Sequence, residues 1–191
     1  MARLFSAIEL PATVRTELAD RLRDLRARHP ELDDGLTWSP PRSWHITLGF
    51  YGDREHVDRR GAWFRRQAAR LDPARLRLRG AGRFPGVLWI GVNPMAGRDA
   101  GALRAMGGVL GADITAGPDA DRFDFTPHLT VARWRRGAAR SERAIHAVAA
   151  LTDFASSWWP VTEVALFRSD RDGSGPVYTA LDRVSLASTQ R

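Results

Sequence analysis

His45 and Thr47 stand two residues apart in the apolar run WHITLGFYG, and His128 and Thr130 repeat that spacing in PHLTVARWR. An unperturbed imidazole titrates near pH 6.5, so one histidine can accept a proton while another donates one at neutral pH. A threonine hydroxyl beside each offers a hydrogen bond to an oxyanion. A single histidine on a strand is ordinarily structural, and a single His-x-Thr carries almost no information. Two of them in matched surroundings point to an acid–base pair flanked by hydroxyl donors. The other histidines, His29, His56 and His146, fall in expected helix or loop without such a pattern and read as surface residues.

Strand periodicity sharpens this reading. Alternate residues of a strand share a face. In the first motif that groups His45, Thr47, Gly49 and Tyr51 opposite Trp44, Ile46, Leu48 and Phe50. In the second it groups His128, Thr130, Ala132 and Trp134 opposite Leu129, Val131 and Arg133. Both faces then carry His, Thr, a small residue and a large aromatic. The small residue is expected to leave room beside the imidazole. If the two halves are related by a pseudo-two-fold, these faces are expected to confront each other across a cleft.

The elements that must hold the two strands follow from pattern and punctuation. Residues 2–10 read as a strand, and Pro11 opens a helix with Val14, Leu18, Leu22 and Leu25 on one stripe. The first motif strand runs from Trp44 to Tyr51. Asp53 is placed to cap a helix with the stripe Val57, Gly61, Phe64, Ala68 and Leu71. Strands at 75–84 and 87–93 meet at Pro85–Gly86, and a short glycine-rich helix falls near 98–110. FDFTPHLTVARW reads as the second motif strand, and Ser141 as the cap of a helix carrying Ile145, Val148 and Leu151. WWPVTEVALFRS and GPVYTALDRVSL read as two further strands around DRDGSG. Each half thus runs motif strand, helix, strand, strand, an order that suggests internal duplication.

Composition bounds the rest. The 191 residues suit one domain of two lobes and can bury a sizeable core. With no cysteine there is neither a disulfide nor a thiolate metal site. The N-terminal segment turns charged too early for a signal peptide, and no apolar run approaches a membrane span, so a cytoplasmic protein without membrane attachment is expected. The net charge is +7, and the sequence contains no lysine, so every side-chain ammonium is replaced by guanidinium. Guanidinium pairs bidentately with phosphate, although a genome that favours arginine codons produces the same composition. The net sign still tilts the partner towards an anion.

Competing chemistries lack their residues. Neither motif has a second histidine or carboxylate at ligand spacing, which argues against a zinc site there. No GxSxG marks a nucleophile elbow. GAGRFPG is glycine-rich but lacks the lysine and spacing of a phosphate-binding loop, and it reads as a turn or bulge. A covalent nucleophile is not required, since water or a ribose hydroxyl can attack.

HITL at 45–48 and HLTV at 128–131 resemble the paired His-x-Thr-x signatures of the 2H phosphoesterase superfamily. The resemblance is closest to its RNA 2',3'-cyclic phosphodiesterases, long called 2'-5' RNA ligases. It extends along the chain: RLFSAIELP is similar to the family's opening strand and turn, GAGRFPGVLWIGV to its middle hairpin, FTPHLTVAR to its second motif and VTEVALFRSD to its late strand.

The resemblance implies an α+β, bilobal fold, with two pseudo-two-fold related sheet-plus-helix lobes around a central cleft. Residues 1–191 would form a single compact domain with one motif in each lobe. It implies metal-independent opening of a terminal 2',3'-cyclic phosphate to a 2'-phosphate, without a cofactor, and reversible ligation to a 2'-5' linkage when a 5'-hydroxyl replaces water. His45 would be the proton donor, His128 the proton acceptor, and Thr47 and Thr130 the phosphate-binding hydroxyls. Arg133, Tyr51 and Trp134 are candidate substrate contacts. In a regular strand Arg133 points away from His128 and reaches the phosphate only past a bulge or at the strand's end. Tyr51 and Trp134 either stack on a base or form cleft wall. The expected partner is an RNA or nucleotide end bearing the cyclic phosphate, and the expected protein is a monomer. The alternatives are a 2H activity on small cyclic nucleotides or 2'-5' oligonucleotides, and a non-catalytic module that binds RNA ends.

Overall fold

The computed structural model describes residues 3–52, 56–111, 125–135, 137–172 and 175–187. In chain order the strands are β1 (Arg3–Glu9), β2 (Thr37–Trp38), β3 (His45–Gly52), β4 (Ala74–Phe84), β5 (Val87–Pro94), β6 (His128–Arg133), β7 (Trp159–Val161), β8 (Glu163–Asp172) and β9 (Gly175–Ser185). The helices are α1 (Ala12–Arg28), α2 (Val57–Ala68), α3 (Gly97–Leu110) and α4 (Ala138–Leu151). Single 3-10 turns occupy Pro30–Asp34 and Pro41–Ser43.

All nine strands join one antiparallel sheet in the order β7-β4-β5-β6-β3-β1-β8-β9, with β2 paired to β6. The two motif strands are central neighbours, paired through Ile46 and Leu129. The hairpin that follows the first motif, β4–β5, lies beside β6, the second motif strand. The hairpin of the second half, β8–β9, lies beyond β1 on the β3 side. Each flank of the sheet is therefore assembled from both halves of the sequence. The chain does not pass straight through WWPVTEVALFRS as one strand: it splits there, with β7 on the β4 edge and β8 against β1.

The four helices cover one face. Val14, Leu18, Leu22 and Leu25 of α1 are buried as the periodicity demands. Each such side chain contributes roughly 1.5–3 kcal/mol over its exposed state. They share a core with Phe64 and Ala68 of α2, Leu103, Met106 and Leu110 of α3, and Ala144, Ala147 and Leu151 of α4. Ile46, Leu48, Leu129 and Val131 meet that core from the sheet. The opposite face of β1, β8 and β9 carries a smaller apolar cluster of Phe5, Ala7, Ala165 and Phe167, with Tyr178 and Ala180 packed on it.

Several local expectations are corrected. Asp53 lies outside the described residues, and α2 begins after His56 without a side-chain cap. Val57 is exposed rather than part of the α2 stripe. In α4, Ser141 sits inside the helix and its hydroxyl donates to the Gly137 carbonyl at 3.0 Å. Ile145 is exposed, because Ala144 and Ala147 are the residues that face the core. Of the long strand read into FDFTPHLTVARW, only His128–Arg133 is strand among the described residues.

Gly49 has a different task from the one its spacing suggests. A Cβ there would run into the Leu110 carbonyl oxygen, with the carbonyl carbon 2.8 Å away, so the end of α3 presses directly on β3. The small residue makes room for a helix terminus, not for the imidazole. Gly49→Ala is expected to destabilise the fold by about 1–3 kcal/mol through overpacking, read as a Tm several degrees lower. An unchanged Tm would contradict this close approach.

Candidate active site

The register through Ile46 and Leu129 decides how the four motif side chains meet. In an antiparallel pair, the neighbours of a paired position are opposed in reverse order. His45 therefore stands beside Thr130, and Thr47 beside His128, with the two histidines on a diagonal. All four point away from Ile46 and Leu129, which enter the helix-covered core. They form a small square of two imidazoles and two hydroxyls on the open face of the sheet.

Both imidazoles are held in the same way. Nδ1 of His45 donates to the Ser43 carbonyl at 2.8 Å, and Nδ1 of His128 to the Thr126 carbonyl at 2.7 Å. Each partner lies two residues upstream of its histidine. The bond fixes the tautomer and leaves Nε2 of each ring for proton exchange. Different aromatic groups pack against the two rings. His45 lies 4.8 Å from the Phe5 ring and 5.2 Å, edge-on, from Tyr178. His128 lies 5.1 Å, edge-on, from Phe84, with Trp89 at 6.3 Å. Trp89 in turn lies across Gly82 on the neighbouring strand, where any Cβ would collide with its ring.

Beyond each threonine the strand makes an irregular step. Ser6 and Ala7 of β1 pair with Gly49 and Thr47, so β3 inserts one extra residue at Leu48. Leu88 and Trp89 of β5 pair with Ala132 and Thr130, so β6 inserts one at Val131. A bulge reverses the faces of everything that follows it. Leu48 and Gly49 both face the helices, as do Val131 and Ala132. Phe50 then turns to the histidine face, where it stacks on Phe5 at 5.9 Å and remains 60% exposed. Arg133 turns the same way and is exposed.

These bulges relocate the remaining candidates. Tyr51 is in the core, where its hydroxyl donates to the Leu110 carbonyl at 2.8 Å and lies 2.7 Å from the Ser6 hydroxyl. The Arg60 guanidinium stacks over its ring at 4.1 Å. Trp134 is likewise a core residue. Neither can meet a substrate base from there. Phe50 takes the place foreseen for Tyr51, and Arg133 the place foreseen for Trp134. Sequence reading also overlooked Phe5, Tyr178, Phe84 and Trp89, which come from four other strands and carry no local signal.

The surroundings of His45 act on its proton affinity. Burial pushes the His45 pKa below the ordinary histidine value, and the positive charge of Arg133 and the nearby His128 push it further. The Ser43 carbonyl and Glu9 act in the opposite sense without cancelling the effect. Burial raises Tyr178, against the pull of Arg133, so its phenol stays protonated and able to donate. A pocket of about 140 Å³ opens on the His45 side, bordered by Phe5, Phe167, Tyr178, Arg42 and Arg183. A more open depression of about 460 Å³, over Arg26, Asp33, Trp38 and Pro41, includes neither histidine.

Two histidines with free Nε2 atoms, two hydroxyls and an arginine on one open face are the equipment of an acid–base enzyme acting on an anion. Residues 14–173 match the family described as the 2'-5' RNA ligase superfamily. The chain belongs to that superfamily, and it is an enzyme of the family. It is 34% identical to the RNA 2',3'-cyclic phosphodiesterase of Thermus thermophilus, over 96% of this chain and 90% of the relative. It is 30% identical to the protein of the same name from Methanothermobacter thermautotrophicus, over 94% of this chain and 96% of the relative. The fold superposes on the crystal structure of E. coli LigT complexed with NADP+ with a TM-score of 0.70 and 26% identity, covering 98% of each chain. Among the described residues no helix is long and apolar enough to cross a membrane.

Proposed function

We propose that this protein is an RNA 2',3'-cyclic phosphodiesterase that opens a terminal cyclic phosphate to a 2'-phosphate, with His128 as base and His45 as acid. The observation that carries the reading is the square of His45, Thr47, His128 and Thr130, with both Nδ1 atoms engaged and both Nε2 atoms available. Nε2 of His128 takes a proton from water as the water oxygen bonds to phosphorus. The bond from phosphorus to the 3'-oxygen breaks on the opposite side, and Nε2 of His45 supplies the proton that oxygen needs. Thr47, Thr130 and Arg133 hold the non-bridging oxygens, where negative charge builds in the transition state. With a 5'-hydroxyl in place of water as the attacking group, the same proton transfers in the same direction break the bond to the 3'-oxygen and join two ends through a 2'-5' linkage.

The low pKa of His45 has a kinetic consequence. A general acid must be protonated, and in the free protein His45 loses its proton below the ordinary value of about 6.5. A bound phosphodiester anion offsets Arg133 and favours the imidazolium, which raises the pKa again. The alkaline limb of kcat/KM, which reports the free enzyme, is therefore expected below about pH 6.5. The alkaline limb of kcat, which reports the complex, is expected at higher pH. A kcat limb at or below that of kcat/KM would remove His45 from the role of acid.

Turnover of a 2',3'-cyclic mononucleotide separates an enzyme from a module that only binds RNA ends. Competition then separates the substrate classes. A cyclic-ended oligonucleotide should be turned over with a higher kcat/KM than a cyclic mononucleotide or a 2'-5'-linked dinucleotide. Preference for either small substrate would assign the site to a different 2H activity.

A further inference from the structure

We propose that His29, Glu31 and His146 form a binding site for a divalent transition-metal ion of the zinc class, on the helical side of the sheet and apart from the two-histidine cleft. His29 is the C-terminal cap of α1, Glu31 lies in the 3-10 turn after it, and His146 is on α4. The fold brings these distant positions together. Nδ1 of His29 lies 3.3 Å, and Nδ1 of His146 3.7 Å, from the same carboxylate oxygen, Glu31 Oε1. The two rings meet edge-on with centroids 4.5 Å apart. One donor atom from each residue lies within 4.8 Å of the others.

Those separations suit a metal. Tetrahedral zinc with ligands at about 2.0–2.1 Å spaces its donors by roughly 3.3 Å. Small rotations of two partly exposed imidazoles would close the remaining distance. Two neutral imidazoles and a carboxylate are a zinc donor set, with the fourth position left to water.

The supporting structure is rigid. Pro30 joins His29 to Glu31 and fixes the backbone between them. Arg26 clamps the turn by two hydrogen bonds to Asp33, at 2.7 and 2.9 Å, and Trp38 donates to the same carboxylate at 2.8 Å. Arg21 of α1 donates to the Ala150 carbonyl of α4 at 2.6 Å. A metal here would link α1 to α4, the helix that follows the second motif strand, and steady both without touching the reacting groups.

The test is calorimetric titration of untagged protein with zinc chloride. One equivalent should bind. His146→Ala removes an exposed side chain and should leave the fold intact while weakening Kd at least about a hundred-fold, since even outer-shell partners are worth ten- to hundred-fold. Glu31→Gln, which keeps shape and loses charge, should weaken it at least about ten-fold, and His56→Ala should change nothing. At a hundred times Kd, zinc should raise Tm by about 5–10 °C in the wild type and not in His146→Ala. Absence of binding up to millimolar zinc overturns the proposal. So does binding that survives His146→Ala but is lost in His128→Ala, which would place the ion in the cleft.

Discussion

His45→Ala and His128→Ala are each expected to lower turnover of a cyclic-ended substrate at least about a hundred-fold, the low end of what a positioned acid or base contributes. Both side chains stand on the open face, held by one Nδ1 bond to a nearby carbonyl and by ring contacts. Neither fills the helix-covered core, so both variants should fold, with circular dichroism and Tm close to wild type. The double variant should lose much less than the product of the two single losses, because groups that move one proton inventory act as a unit. Turnover near wild type in either single variant would take that residue out of the mechanism. A strictly multiplicative double variant would mean that the two histidines serve separate steps.

The second large effect distinguishes the acid from the base. A ribose 3'-oxygen is a poor leaving group unless it is protonated, whereas a sulfur in the same bridging position departs as a thiolate. A substrate with a 3'-bridging sulfur should therefore recover most of the turnover that His45→Ala loses with the natural oxygen. It should recover little in His128→Ala, where the attacking water still lacks its base. Symmetry alone cannot make this assignment, because both imidazoles use Nδ1 on a carbonyl and present Nε2. Rescue of the His128 variant instead would exchange the roles, and rescue of neither would mean that proton transfer to the leaving group is not what His45 provides.

The motif faces were legible because strand period forces His45 and Thr47, and likewise His128 and Thr130, to one side. The reading failed one step later, at Leu48–Gly49 and Val131–Ala132. Glycine inside a strand often marks a bulge, and here it does. Each bulge spans two adjacent core-facing residues, which a strict alternation cannot represent. That single step sent Tyr51 and Trp134 inward and Phe50 and Arg133 outward. The helix stripe of α1 was legible for the complementary reason: four large aliphatics at helical spacing have only one face to bury. In α4 the aliphatic Ile145 was the more conspicuous residue, yet close packing against the sheet selects the alanines. Pairing of β5 with β6, and of β8 with β1, is non-local, and nothing in the order of elements announces it. The meeting of His29 with His146 is hidden for the same reason.

The most direct test is end-group mapping of an oligonucleotide with a 2',3'-cyclic terminus after incubation with the protein, wild type and the two histidine variants, under chelation. The wild type should convert the terminus to a 2'-phosphate, and that product should fail to accumulate with His45→Ala or His128→Ala. A 3'-phosphate product, conversion that requires an added divalent ion, or equal conversion by the histidine variants would contradict in-line opening by two histidines across this cleft.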